Sequence, residues 1–350
     1  MTSTAISPRD QQLHRWLAQV FPNQEFNHSR LPGDASFRGY HRLTVGDDKY
    51  IVMDAPPEKE SVAEFIAVDK LMADVVHVPH LVAIDEVQGF IVMEDLGATD
   101  FADVIANDVN NREDMAATER HYQRAMQEII AIQRLDVAKA GEILPSYDDA
   151  LLTREMGLFS EWFLPYIGVS LNEQATKLWQ DVQAAIIGQV TAQPQGVVHR
   201  DFHSRNLMVL EGRDDLGVID FQDAVIGAYT YDLASLLRDA YINFDENWVS
   251  AHIAKFYELA NIQQRYGKSL AEFIIDFNVM SMQRHLKVLG IFIRLYQRDG
   301  KDRYLGNMPK VMGDLMYALG ALKQQADNAT FDAFYDWLNT VVMPKFNEKF

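Results

Sequence analysis

The 350-residue sequence predicts an α+β chain in two lobes, a small antiparallel-sheet lobe over residues 1–96 and a larger, mainly helical lobe over residues 97–350. Three observations carry that expectation. The first part alternates like paired strands around turn residues. The rest recurs at helical spacing, and two short apolar strands interrupt it, each running straight into acidic and polar residues. A hydrophobic content of 48% is that of an ordinary globular protein with a sizeable core.

Leu13, Trp16, Leu17 and Val20 recur at helical spacing ahead of Phe21-Pro22, which reads as a short amphipathic helix stopped by the proline. Residues 36–45 and 49–54 flank Gly46-Asp47-Asp48 as a hairpin, closed by Pro56-Pro57. A helix over 61–73 carries Val62, Phe65, Ile66 and Leu71. Residues 81–85 and 90–94 form a second hairpin around Gln88-Gly89. Beyond Leu96-Gly97 the main helical candidates are 118–135, 171–190, 235–241, 251–259, 270–297 and 331–338. The interrupting strands are Val197-Val198 and residues 216–219. There is no internal repeat or low-complexity tract.

Fifty acidic against 32 basic residues give a formal charge of −18, which repels polyanions and argues against a nucleic-acid partner. The same field opposes a nucleoside triphosphate, so local cations, backbone amides and Mg²⁺ must offset it if one binds. The absence of cysteine excludes disulfides and thiolate chemistry. No run reaches the roughly 18 apolar residues of a membrane span, and the N-terminus lacks a secretory pattern, so a cytoplasmic protein without membrane contact is expected.

Chemistry concentrates in His199-Arg200-Asp201-Phe202-His203-Ser204-Arg205-Asn206, which fits His-x-Asp-x-x-x-x-Asn, followed by Val218-Ile219-Asp220-Phe221, an apolar strand ending in Asp-Phe. Order and spacing together match a phosphoryl-transfer catalytic loop and a kinase-like two-lobed fold. Asp201 is placed to orient an acceptor hydroxyl and take its proton. Asn206 and Asp220 supply hard oxygen ligands suited to Mg²⁺ on nucleotide phosphates.

These motifs identify a resemblance to the aminoglycoside phosphotransferase and choline kinase superfamily, spanning nearly the whole chain. His203, two residues after Asp201, matches that group's His-Gly-Asp-x-His pattern rather than the Leu-Lys that usually follows the aspartate in protein kinases. A closer resemblance is to the bacterial anomeric kinases of amino sugars. It rests on residues 33–38, 50–57, 92–97, 199–206 and 219–223, on Tyr231-Asp232-Leu233-Ala234-Ser235-Leu236, and on Leu289-Gly290-Ile291-Phe292-Ile293-Arg294. That resemblance implies ATP-dependent phosphorylation of the 1-hydroxyl of N-acetylmuramate or N-acetylglucosamine to the α-1-phosphate during peptidoglycan recycling, by a chain expected to be a monomer.

On the nucleotide side, Gly33, Ala35, Ser36, Phe37 and Arg38 stand where a kinase has its glycine-rich loop, with only the first of three glycines present. The strand Tyr50-Ile51-Val52-Met53-Asp54 lacks the phosphate-binding lysine, so Arg42 or Arg38 is the candidate replacement and Glu64 the candidate partner of that cation. Val92-Met93-Glu94-Asp95-Leu96 resembles the hinge, spanning 92–97. Its main chain would meet adenine, with Glu94 and Leu96 at its end and Val52 and Met93 against the ring.

On the acceptor side, Glu155, Trp162 and Tyr166 are candidates for sugar hydroxyls and C–H faces, with His203 and Arg205 from the loop. Arg205 is suited to a carboxylate such as the lactyl group of N-acetylmuramate. Asp232 reads as a brace for the catalytic loop, and Arg294 as a structural partner of an acidic group or a substrate contact. His77 and His80 lack an evident acidic partner in sequence for a metal site. The rival expectations are a kinase of another small alcohol, of aminoglycoside, choline or homoserine type, and a nucleotide-binding pseudokinase suggested by the missing lysine.

Overall fold

Helix α1 (Pro8–Val20) begins with Ser7 accepting from the Asp10 N–H at 3.1 Å and with proline in the first turn, and it buries Leu13, Trp16 and Leu17. The computed structural model describes residues 7–32, 37–105, 115–213, 215–325 and 328–350. Beneath α1 lies a five-stranded antiparallel sheet of β1 (Phe26–Arg30), β2 (Gly39–Val45), β3 (Asp48–Asp54), β4 (Leu81–Asp85) and β5 (Phe90–Glu94), in the order β1-β2-β3-β5-β4.

Strand period two assigns its faces. His41, Val52 and Val92 are in register across β2, β3 and β5, and this row turns toward α1, where Val52 and Val92 join Leu13, Trp16, Leu17 and Phe90 in one apolar cluster. Trp16 stacks on Phe90 with ring centroids 5.4 Å apart. The next row, Arg42, Ile51 and Met93, faces the opposite way into the cleft. β1 escapes a sequence reading because Phe-Asn-His-Ser-Arg is a polar edge strand with little burial.

Helix α2 (Ala63–Met72) packs on the cleft side of the sheet lobe, and its Phe65 ring lies 4.9 Å from that of Phe221. The larger lobe is built from α3 (Met115–Ile132), α4 (Asp149–Leu158), α5 (Glu173–Thr191), α6 (Tyr231–Leu237), α7 (Glu246–Leu259), α8 (Leu270–Asp299), α9 (Met308–Gln325) and α10 (Ala329–Trp337), with several shorter turns. Two small antiparallel pairs carry the chemistry-bearing loops: β6 (Gln195–Val198) with β9 (Val225–Ala228), and β7 (Leu207–Val209) with β8 (Leu216–Val218).

The 30-residue α8 is the spine of this lobe. Ser269 and Glu272 form a reciprocal capping box at its start, and Gly300 at φ 69° ends it. Gly290 permits its approach to α4, since a Cβ there would stand 2.3 Å from the Leu158 carbonyl carbon. α4 continues through a π-helical turn over Phe159–Phe163. This segment and α9 are the long helical stretches the sequence periodicity misses. Pro165 follows the first, while Gly313 and Gly320 interrupt the second.

Candidate active site

The catalytic loop leaves β6 at His199 and is held from below by a buried carboxylate. Asp232, in the first turn of α6, accepts from the backbone N–H groups of His199 at 2.8 Å and Arg200 at 2.9 Å. Burial pushes this carboxyl up to about 7 against those two donors. Further along, Asp239 accepts from the Ser204 N–H at 2.9 Å and from the Ser204 hydroxyl, pinning the second half of the loop. Burial lowers His199 to about 4, so its ring is neutral, and its Nε2 donates to the Ile219 carbonyl at 3.0 Å. Ile219 N–H in turn donates to the Asn206 carbonyl at 3.1 Å. The two loops are therefore registered to each other through main chain.

Arg200 and Asp220 both sit at positive φ, 80° and 64°. Strain at two adjoining chemistry-bearing loops is maintained only where surrounding contacts over-determine it, and here they do. Asn206 Nδ2 donates to the Asp201 carbonyl at 2.9 Å and to Asp220 Oδ2 at 3.2 Å, while Gln222 Nε2 donates to Asp220 Oδ1 at 2.8 Å. With Nδ2 so engaged, the side-chain Oδ1 of Asn206 and the Asp220 carboxylate are hard oxygens lining one cleft, a donor set that would suit Mg²⁺ taking its remaining ligands from phosphate and water. Among the described residues there is no cluster of three acidic or histidine side chains that would form a complete protein cage.

Two cavities flank this loop, and Asp201 lines the smaller while its carbonyl is bonded to Asn206, which lines the larger. One, of about 400 Å³, lies between the lobes and brings together Arg38, Arg42, Met93, Glu94, Leu96, Asn206 and Asp220. Tyr40 and Ile51 line its sheet side, and Leu96, Met208 and Ile219 form an apolar patch opposite. The other, of about 150 Å³, contains Asp201 and His203, with Arg284, His285 and Lys287 from α8, Arg238 and Tyr241 after α6, and Tyr304. Burial would raise the Asp201 carboxyl, but Lys287, His203, Arg200 and Arg284 outweigh it and hold it at about 2.

Beneath the loop is a buried ionic network. Glu155 pairs with Arg200 and, at 3.2 Å, with Lys287, and it accepts from the Tyr147 hydroxyl. Lys287 Nζ also donates to the Tyr231 hydroxyl at 3.2 Å. Burial penalises the Glu155 anion, yet these cations hold its carboxyl at about 2.

Several sequence expectations are placed differently. Val52 points to α1 rather than the cleft, one step of strand alternation from Ile51, which lines it. Glu64 is exposed on α2, and Arg38 pairs instead with Glu60 at 2.5 Å. Arg42 is held by Asp95 at 2.7 Å and by the Gly97 carbonyl at 2.9 Å. Glu155 is the buried partner of the loop and lines neither cavity. Arg205 turns away to Asp100 and Asp103 at 2.8 and 2.7 Å. Trp162 packs on the helical core, and Tyr166 packs near Tyr296 and Phe350. Phe37 is exposed and does not line the cleft, and Lys59 lies over its ring. Gly33, Ala35 and Ser36 lie outside the described residues.

His77 does have acidic neighbours, Glu94 and Asp215, both at 3.1 Å. Chain separation conceals them in sequence. Arg294 is half-buried and carries no ion pair to a described residue. Arg284, Lys287 and Tyr304 were missed because they lie on or after a helix whose periodic pattern reads as core. The available signal was cations embedded in that apolar run, as in Gln283-Arg284-His285-Leu286-Lys287.

A small sheet lobe over a helical lobe, with Asp201, Asn206 and Asp220 on adjoining loops of the helical lobe, defines a kinase-like phosphotransferase fold. The chain belongs to the phosphotransferase enzyme family, whose model matches residues 27–266. It is 39% identical over 310 residues to an N-acetylmuramate/N-acetylglucosamine kinase of Neisseria meningitidis serogroup B, covering 88% of this chain and 90% of that one. It is 36% identical to a Pseudomonas aeruginosa protein of the same name, covering 91% and 94%. Among solved structures, ADP-bound aminoglycoside phosphotransferase APH(2'')-Ib superposes with TM-score 0.58 at 13% identity, covering 87% of this chain and 97% of that one, which supports the fold. No helix among the described residues is long and apolar enough to cross a membrane.

Proposed function

We propose that this protein is an ATP- and Mg²⁺-dependent kinase that phosphorylates the anomeric 1-hydroxyl of N-acetylmuramate and N-acetylglucosamine to the α-1-phosphate, in the cytoplasm as part of peptidoglycan recycling. The observation that carries the reading is that Asp201 lines a cation-rich pocket while its carbonyl is bonded to Asn206, which with Asp220 lines the cleft between the lobes. Relatives at 36–39% identity over most of their length bear the name of that activity.

In this reading residues 1–96 and 97–350 act as the two lobes of a monomer. Nucleotide enters between them, with adenine against Ile51, Leu96, Met208 and Ile219 and its edge toward the 92–97 main chain. Arg38, just before β2, and Arg42, on it, meet phosphate oxygens from the sheet side. Asn206 and Asp220 would hold Mg²⁺, which when bound screens the phosphate charge.

Asp201 accepts a hydrogen bond from the acceptor hydroxyl and fixes its line of attack. A carboxyl held at about 2 is a weak base, so its work is orientation, with proton transfer late in the displacement. An anomeric hydroxyl, more acidic than an ordinary alcohol, suits that arrangement. Arg284 and Lys287 beside Asp201 disfavour cationic acceptors such as aminoglycosides or choline, and Arg38 paired to Glu60 supplies the cation whose absence suggested a pseudokinase.

ADP release with Mg-ATP across N-acetylmuramate, N-acetylglucosamine, glucose, choline and kanamycin tests the reading. Turnover is expected with the two N-acetylated sugars; turnover confined to choline or kanamycin would overturn it.

A further inference from the structure

Four basic side chains besides His203 line the smaller cavity at Asp201, and three of them have counterions. Arg238 pairs with Glu246 at 2.5 Å and Asp314 at 3.4 Å, His285 Nε2 lies 3.4 Å from Asp314, and Lys287 pairs with Glu155 at 3.2 Å. Arg284 is different. It is 6% exposed, its Nε is buried without an acceptor, and it makes no hydrogen bond or ion pair with any described residue. Its guanidinium lies 5.3 Å from the Tyr231 ring centroid and beyond ion-pair distance of Asp201. The carboxylates of Asp201 and Asp232 offset its charge from a distance, but neither accepts from it, so the five donors of a buried guanidinium stay open to a ligand.

The surroundings say where that ligand is. Arg284, Lys287, Val288, Ile291 and Leu295 follow one another along the cavity side of α8, cationic at the Asp201 end and apolar beyond it. An acceptor whose hydroxyl is at Asp201 therefore presents nearby groups to Arg284. Planar, bidentate recognition of a carboxylate is the interaction for which a guanidinium is best shaped.

We propose that Arg284 receives a carboxylate of the acceptor and thereby sets the preference for an anionic sugar over its neutral counterpart. Resting on the proposed acceptor class, this assigns to Arg284 the 3-O-lactyl carboxylate that distinguishes N-acetylmuramate from N-acetylglucosamine. Arg205, the candidate suggested by sequence, is occupied by Asp100 and Asp103 and does not line the cavity.

The test compares kcat/KM of the wild-type protein and Arg284→Gln for both sugars at saturating Mg-ATP. The ratio for N-acetylmuramate over N-acetylglucosamine is expected to fall about 10- to 100-fold, mainly through the KM for N-acetylmuramate, as befits loss of a charged hydrogen-bonded pair. Arg284→Lys should recover part of it. Because a buried arginine variant can fail to fold, the wild-type protein is also assayed with the methyl ester of N-acetylmuramate, whose lactyl group is neutral; its KM should rise by a similar factor. Equal losses with both sugars in Arg284→Gln, or a methyl ester used as well as the acid, would overturn the proposal. Absence of wild-type turnover with either sugar would instead overturn the acceptor class on which it rests.

Discussion

Arg38 and Glu60 form an ion pair, Nε to Oε2 at 2.5 Å, and Arg38 lines the cavity that holds Asp220. Kinases place a lysine on the third strand, braced by a glutamate, at the corresponding edge of the nucleotide cleft. In the proposed nucleotide site the cation would come from the neighbouring segment and its brace from the turn before α2. Arg38→Ala and Glu60→Ala should each raise the KM for ATP by about tenfold. The double variant should lose little more than either one, a coupling of about 1 kcal/mol measurable in a double-mutant cycle. Additive losses would separate the two residues.

Asp201→Asn keeps the side chain's size but removes the carboxylate that we propose receives the acceptor's proton. A fall in kcat on the order of 10³ is expected, with ATP binding unchanged in calorimetry. A variant within about tenfold of wild type would show that the aspartate is not the orienting group.

Glu155 neutralises Arg200 and Lys287 in a dry site, so Glu155→Gln leaves two buried cations without a full anion. We expect a loss of about 3 kcal/mol in urea unfolding, because breaking a buried pair costs more than the pair contributes. The pH dependence follows. A folded carboxyl held at about 2, below its ordinary 4.5, contributes stability above pH 4.5 and loses it as pH falls toward about 2. Across that window the variant's stability should decline less steeply than the wild type's.

Asp69 is the opposite case. It is buried on α2, and burial raises its carboxyl to about 6 from an ordinary 3.8. The wild type is therefore penalised as pH rises from about 4 through 6. Asp69→Asn should melt higher than wild type at pH 8, with the difference vanishing near pH 4. Equal melting temperatures at both pH values would contradict the assignment.

Gly290→Ala places a methyl group against the Leu158 main chain, where neither helix can yield without moving α8. Overpacking of this kind costs about 1–3 kcal/mol. Since α8 also carries Lys287, kcat should fall as well.

The two loops of the candidate site were legible because His199 to Asn206 and Ile219 to Phe221 are short contiguous motifs with fixed spacing. Hairpin 81–94 was readable for the same local reason, through alternation around Gln88-Gly89. What failed was relational. Choosing Ile51 over Val52 needs the side on which α1 docks, which no strand pattern states. Glu60 rather than Glu64 follows from how a turn folds back on Arg38. Glu155 and Arg205 carry charges suited to a ligand, and only their spatial neighbours, Arg200 and Lys287 for one and Asp100 and Asp103 for the other, reveal that both are occupied. Arg284 and Lys287 were hidden in the apolar periodicity of a long helix.

The most direct measurement is phosphorus NMR of the product formed from Mg-ATP and N-acetylmuramate, run beside the Asp201→Asn control. The account predicts an α-anomeric phosphate monoester that appears with ADP and is abolished by the substitution. Phosphate on another hydroxyl, or product formation undiminished in Asp201→Asn, would contradict it.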